Sequence, residues 1–217
     1  MTTALPEGCT WRRPGAAEDE APAVFALVAA CNEAVIGIAD WTLDDAVEQL
    51  GEPGFDAERG AWLVHDGAGA LVGFGCLRPE GAGQVGAEVF ATDDRVARWL
   101  LAALAERADE VARAEGAPAA TIDVGVYRED AERQALLTAH GFTVATVFHR
   151  MRIDHDDATP RAAPVPPPGV AVRRGPGDES FRRTVHRVRE VSFAEHFGHV
   201  DQPYERFVAA AINASPF

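Results

Sequence analysis

The chain has 217 residues, 47% of them apolar and 25% charged, which is the balance of a soluble globular protein with one good core and part of a second. Its formal net charge of −14, with 20 arginines and no lysine, excludes the clustered positive surface that nucleic-acid binding requires. No apolar run reaches membrane-spanning length, no basic-then-apolar leader opens the chain, and Cys9, Cys31 and Cys76 lack metal-type spacing, so a cytoplasmic protein with buried, reduced thiols is expected.

In chain order the first element is a short strand over residues 9–13. Pro22 then stands where the first turn of a helix tolerates its missing N–H, and Val24, Leu27, Val28 and Cys31 mark one face of that helix. A connecting segment, residues 31–41, leads to Thr42 and Asp45, whose spacing opens a second short helix as a capping box; Gly51 ends it. Residues 61–65 and 71–77 read as two strands around the hairpin signal Asp66-Gly67. A fourth strand, residues 85–90, is reached through Gly81-Ala82-Gly83. The longest helix follows over about residues 93–114, with Val96, Leu100, Leu101, Leu104, Ala108 and Val111 in one stripe. Thr92 is its expected N-cap, and Gly116 and Pro118 lie beyond its end.

Residues 121–154 hold the most specific pattern. Ile122, Val124 and Val126 alternate with Thr121, Asp123 and Gly125, a strand with one apolar face. Asp130 opens a helix carrying Leu136 and Leu137, and Gly141 sits just past its end, where a left-handed residue fits. Phe142 then anchors a returning strand with Val144, Val147 and Met151 as apolar positions. Pro160, Pro164, Pro166, Pro167 and Pro168 make residues 155–169 an extended linker. Beyond it, residues 170–173 read as a strand, and 177–197 and 203–212 as two helices, which repeats the opening of the chain.

With this order of elements, and with Gly141-Phe142 joining the last helix to the last strand, residues 9–154 resemble the GNAT acetyltransferase family. The resemblance implies an α/β fold: a mixed sheet with helices on both faces, parting between its fourth and fifth strands to form a cleft. The three-part layout resembles tandem GNAT proteins of the mycothiol synthase type. Residues 192–210, SFAEHFGHVDQPYERFVAA, resemble the start of their second domain. That implies a complete first domain over residues 1–154, a Pro-rich linker over 155–169, and a second domain over 170–217 cut short after its opening helices.

The family moves acetyl from acetyl-CoA to an amine, here expected to be a small molecule. Its donor diphosphate sits on backbone N–H groups at the start of the longest helix, where unpaired amides and the helix dipole attract an anion. The family loop there runs Arg or Gln, two residues, Gly, one residue, Gly or Ala. In this chain residues 90–98, FATDDRVAR, hold no glycine and are about three residues shorter. Phe90, Thr92, Arg95 and Arg98 are the donor-binding candidates that remain. Asp93 and Asp94 suit the helix dipole by about 0.3–1 kcal/mol each and would repel a phosphate. A helix capped by its own side chains is therefore the expectation.

The family's general acid, often a Tyr four residues before the Gly of Gly-Phe, is matched by Leu137, and the Asn that commonly opens this helix by Asp130. Tyr127 lies in the preceding loop, on the wrong side of the helix start. Glu88 on the fourth strand and His65 on the second are the candidate bases. His186, His196 and His199 lack a completing ligand pair, so no metal is expected.

Three functions follow. The first is an N-acetyltransferase for a small-molecule amine whose first domain is itself inactive. The second is a non-catalytic GNAT-like scaffold or binding module over residues 1–154. The third is an interaction role, in which the second domain or another copy packs on the first.

Overall fold

The computed structural model describes residues 4–52, 55–151, 165–172 and 177–208. The chain divides into two compact units, Met1–Thr143 and Val144–Phe217. The first is built on a five-stranded mixed sheet in the order β1-β2-β3-β4-β5. Strands β1 (Thr10–Arg12), β2 (Ala61–His65), β3 (Leu71–Gly81) and β4 (Gln84–Ala91) pair antiparallel in turn, and β5 (Thr121–Val124) joins β4 in parallel.

Strand β2 is apolar from Ala61 to Val64 because both faces of the sheet are covered. Ala61 and Leu63, with Phe74 and Cys76 of β3, pack against α1 (Ala17–Ile36) through Ala21, Val24 and Val28, and against α2 (Leu43–Gly51) through Ala46 and Leu50. A single turn, α3 (Ala57–Gly60), leads into β2. Trp62 and Val64 face the other way, with Leu77, Val85 and Ala87, beneath α4 (Asp94–Ala114) and α5 (Ala131–Ala139). Gly73 is where α4 comes closest to the sheet: a Cβ there would lie 2.5 Å from Val96 Cγ1, a distance close packing does not allow.

Most of the expected elements form in order, and the departures have local causes. Helix α1 begins at Ala17, which puts Pro22 in its second turn; Glu18, Asp19 and Glu20 supply the first turn, where carboxylates suit the helix dipole. The capping box of α2 is present, with Asp45 N donating to Thr42 Oγ1 at 3.2 Å and Thr42 N to Asp45 Oδ2 at 2.7 Å. Helix α4 is capped by Asp93 instead of Thr92. The amide of Thr92 is already bonded to Val72 O at 3.1 Å, whereas Asp93 Oδ1 accepts from Arg95 N at 2.7 Å. Helix α5 ends as read, with Gly141 at φ 86° and Phe142 N donating to Leu137 O at 3.1 Å.

The returning strand after Phe142 does not form. Residues 142–151 make no ladder, and Val144, Phe148 and Met151 are 85%, 66% and 94% exposed. Apolar alternation becomes a strand only where a neighbouring edge takes its N–H and C=O groups. Among the described residues, β5 pairs with β4 alone.

In the second unit, α6 (Glu179–Phe193) is capped by Asp178, and a short α7 (Tyr204–Phe207) follows. Residues 170–172 form no strand; Arg173 lies outside the described residues, as do residues 155–164 of the linker and 209–212 of the last expected helix. No helix among the described residues is long and apolar enough to cross a membrane.

Candidate functional site

Strands β4 and β5 pair only as far as Ala87 and Val124, while β4 runs on to Ala91 against β3. Residues 88–91 thus form one wall of a splay. Glu88 opens that wall, opposite Cys76 on β3. From α2, Gln49 Nε2 donates to Glu88 Oε2 at 3.0 Å and to Cys76 Sγ at 3.1 Å. Arg78 pairs with Glu52 at 2.9 Å and stands 3.9 Å from Glu88 Oε1. Burial pushes the Glu88 carboxyl above the ordinary carboxylate range, and Arg78 opposes part of that rise. Burial, with the Glu88 charge behind it, pushes the Cys76 thiol up to about 12. Cys76 is therefore a protonated, inert thiol.

The facing wall comes from two connections. Tyr127, in the loop after β5, donates its hydroxyl to Asp40 Oδ2, which lies between α1 and α2. Beside Asp40, Trp41 meets Phe90 of β4 edge-on with ring centroids 5.6 Å apart. Burial and then the Glu88 charge raise the Tyr127 phenol, so Tyr127 shares the field of Glu88 despite its place ahead of α5. At the far end of the wall, Arg133 in the first turn of α5 donates from Nη2 to Ala91 O at 3.4 Å.

The remaining sequence candidates sit elsewhere. His65 closes β2 beside Thr10 and Leu71, and the structure does not bring it to Glu88. Thr92 and Arg95 line a concavity of about 260 Å³ with Glu7, Asp66 and Asp93. Asp93 occupies the start of α4 twice over, accepting from Arg95 N and pairing with the Arg95 guanidinium at 3.1 Å. Three carboxylates, those of Glu7, Asp66 and Asp93, are among the groups that line this hollow. Arg98 is exposed on α4, and Leu137 is 6% exposed in the core, with no proton to give.

In the second unit, ligand atoms of Glu190, His199 and Asp201 lie within 4.8 Å of one another. Both Glu190 oxygens are already engaged, by Gln202 N at 2.9 Å and Arg189 Nη1 at 2.8 Å. The cluster therefore reads as a tie between α6 and the turn before α7. His196 stacks on Phe148, and His186 Nε2 donates to Gln202 O at 2.6 Å, so the three histidines do not converge.

Gln49, the Tyr127–Asp40 pair and Arg133 have no local motif that would mark them. They reach their partners across sequence separations of 39, 87 and 42 residues. Of the two candidate bases read from the sequence, Glu88 is the one that stands at the splay.

No protein-family model matches the chain, and no curated protein sequence matches it. Solved structures do. A GCN5-related N-acetyltransferase from Sphaerobacter thermophilus superposes with a TM-score of 0.69 at 20% identity, over 94% of this chain and 63% of its own. The chain thus spans less than two thirds of that protein's length. A GNAT-family acetyltransferase from Staphylococcus aureus Mu50 gives a TM-score of 0.50 at 12% identity, over 61% of this chain and 83% of its own. A Salmonella typhimurium protein described with its cofactor acetyl-CoA covers 64% of this chain and 82% of its own at 17% identity, but its TM-score of 0.47 is too low to bear on ligands here. The first two likenesses show the fold: the chain has the GNAT acyltransferase fold, a mixed sheet with helices on both faces.

Proposed function

We propose that this chain belongs to an acetyltransferase that moves the acetyl group of acetyl-CoA to the amine of a small molecule, with Glu88 as the proton acceptor. The observation that carries the proposal is Glu88 itself. It stands where β4 and β5 part, with a proton affinity raised by burial toward the range useful to a general base. An ammonium acceptor would lose its proton to Glu88, directly or through one water. The neutral amine would then attack the thioester carbon, forming C–N as C–S breaks, and the second proton that nitrogen loses goes to the departing thiolate, which leaves as the thiol. In this reading a β4 N–H beyond Ala87, where pairing to β5 ends, polarises the carbonyl. Tyr127 is the phenol of the site and keeps its proton through burial.

The tandem arrangement of the mycothiol synthase type is part of this reading. What supports it is that the Sphaerobacter likeness runs over 94% of the chain, more than Met1–Thr143 alone contains. A reducing, cytoplasmic setting suits the free cysteines Cys9, Cys31 and Cys76. A second reading, a non-catalytic GNAT-like scaffold in the first unit, is favoured by Asp93 at the start of α4 and by Leu137 in the core.

Thiol release from acetyl-CoA with a panel of small primary amines separates the two. The acetyltransferase reading expects amine-dependent release, and turnover lower by about 10²–10⁴-fold in Glu88→Gln. Acetyl-CoA bound without any release to any amine would leave the scaffold.

A further inference from the structure

We propose that Arg133 is an oxyanion-binding residue of the splay, taking a phosphate or carboxylate of the ligand in place of the seat that Asp93 fills at α4. The ligand's identity rests on the acetyl-transfer reading; the anion site itself does not.

Asp130 caps α5 by accepting from Arg133 N at 2.9 Å, which holds the Arg133 backbone at the helix start. The side chain reaches back to Ala91, the last residue of β4, at the open end of the stretch that β5 leaves unpaired. There Nη2 has a carbonyl at 3.4 Å, while Nη1 is shut from solvent with no hydrogen-bond partner. No ion pair involves Arg133 among the described residues. A buried donor on a charged group with no acceptor is costly, and such groups are rare enough in folded proteins to call for a cause.

The acids of the splay are engaged elsewhere. Asp130 is engaged in the cap, Asp40 holds Tyr127, and Glu88 takes Gln49 with Arg78 nearby. Cys31 is no competitor either, since burial raises its thiol despite the Arg133 charge. The guanidinium fork matches a phosphate or carboxylate edge with two parallel N–H···O bonds, which one carbonyl cannot offer. Arg133 as a whole is only half-buried, so a turn of its long stem can present Nη1 to an entering anion.

Three proteins test this: the full chain, Arg133→Met, and Arg133→Lys, which keeps the charge but loses the fork. Each is followed by thermal melting and calorimetry with coenzyme A, pantetheine, inorganic pyrophosphate and succinate at constant ionic strength. Arg133→Met is expected to melt at or above the wild-type temperature, because an unmet charge has been removed. It should also lose about tenfold or more in affinity for the anion. Arg133→Lys should fall between the two.

If the anion is the donor's diphosphate, coenzyme A and pyrophosphate show this loss, whereas pantetheine does not. If it belongs to the acceptor, succinate shows it and coenzyme A is unaffected. Failure of coenzyme A to bind, alongside Arg133-dependent binding of pyrophosphate or succinate, would uphold the anion site and remove the acetyl-CoA reading. Equal binding of every anion by wild type and Arg133→Met, no anion binding at all, or a marked loss of stability in Arg133→Met would each overturn the proposal.

Discussion

Gln49 and Glu88 are joined across two layers of the fold, with Nε2 of Gln49 on α2 donating to Oε2 of Glu88 on β4 at 3.0 Å. The same amide reaches Cys76 Sγ at 3.1 Å, so one side chain ties the helix to two neighbouring strands. An N–H given to a carboxylate favours its charged form, while burial favours the neutral one. Gln49→Leu removes only the first influence. Glu88 in that variant should therefore titrate at higher pH than in the wild type, as followed by carbon-detected NMR of glutamate carboxyls. An unchanged or lower midpoint would mean the bond is not made in solution.

Glu88 also sets a pH dependence of stability. Its folded proton affinity is raised from the ordinary value of 4.5, so the folded state binds more protons than the unfolded chain above that pH. This group's contribution is fully present below about 4.5 and is lost as pH rises through the folded value. Glu88→Gln escapes that loss. Its melting temperature relative to wild type should climb as pH rises above about 4.5, and a flat difference would contradict the burial of the charge.

The start of α4 separates capping from charge. Asp93→Ala removes the acceptor for Arg95 N and should cost about 0.5–2 kcal/mol in urea denaturation. Asp93→Asn keeps a capping oxygen and should stay close to wild type. If both variants lose the same stability, the Asp93–Arg95 ion pair, and not the cap, is what matters there.

Gly73→Ala should destabilise the first unit by about 1–3 kcal/mol, because the added Cβ would stand 2.5 Å from Val96 Cγ1 under α4. The double variant with Val96→Ala should recover part of that loss by making room. Independent, additive effects would show that α4 does not press on the sheet at this point.

Much of the architecture is local chemistry, and so it is legible residue by residue. The Thr42–Asp45 box, the stripe along α4, the unbroken apolar run of β2 and the turn out of α5 at Gly141 each depend on neighbours a few positions away. Their order alone places helices on both faces of a mixed sheet.

Tertiary structure decided whatever needed a distant partner. The cap of α4 is Asp93, while the Thr92 side chain turns its hydroxyl, like its amide, to Val72 O, twenty residues earlier. Residues 142–151 carry strand-forming side chains, yet strand formation depends on a free edge and none pairs with them. The site is the strongest case. Gln49, Tyr127 with Asp40, and Arg133 come together only because α2, the β5–α5 loop and α5 close on the stretch of β4 that β5 leaves. Periodicity reports which face a residue takes within its own element, and it carries no information about which other element that face will meet.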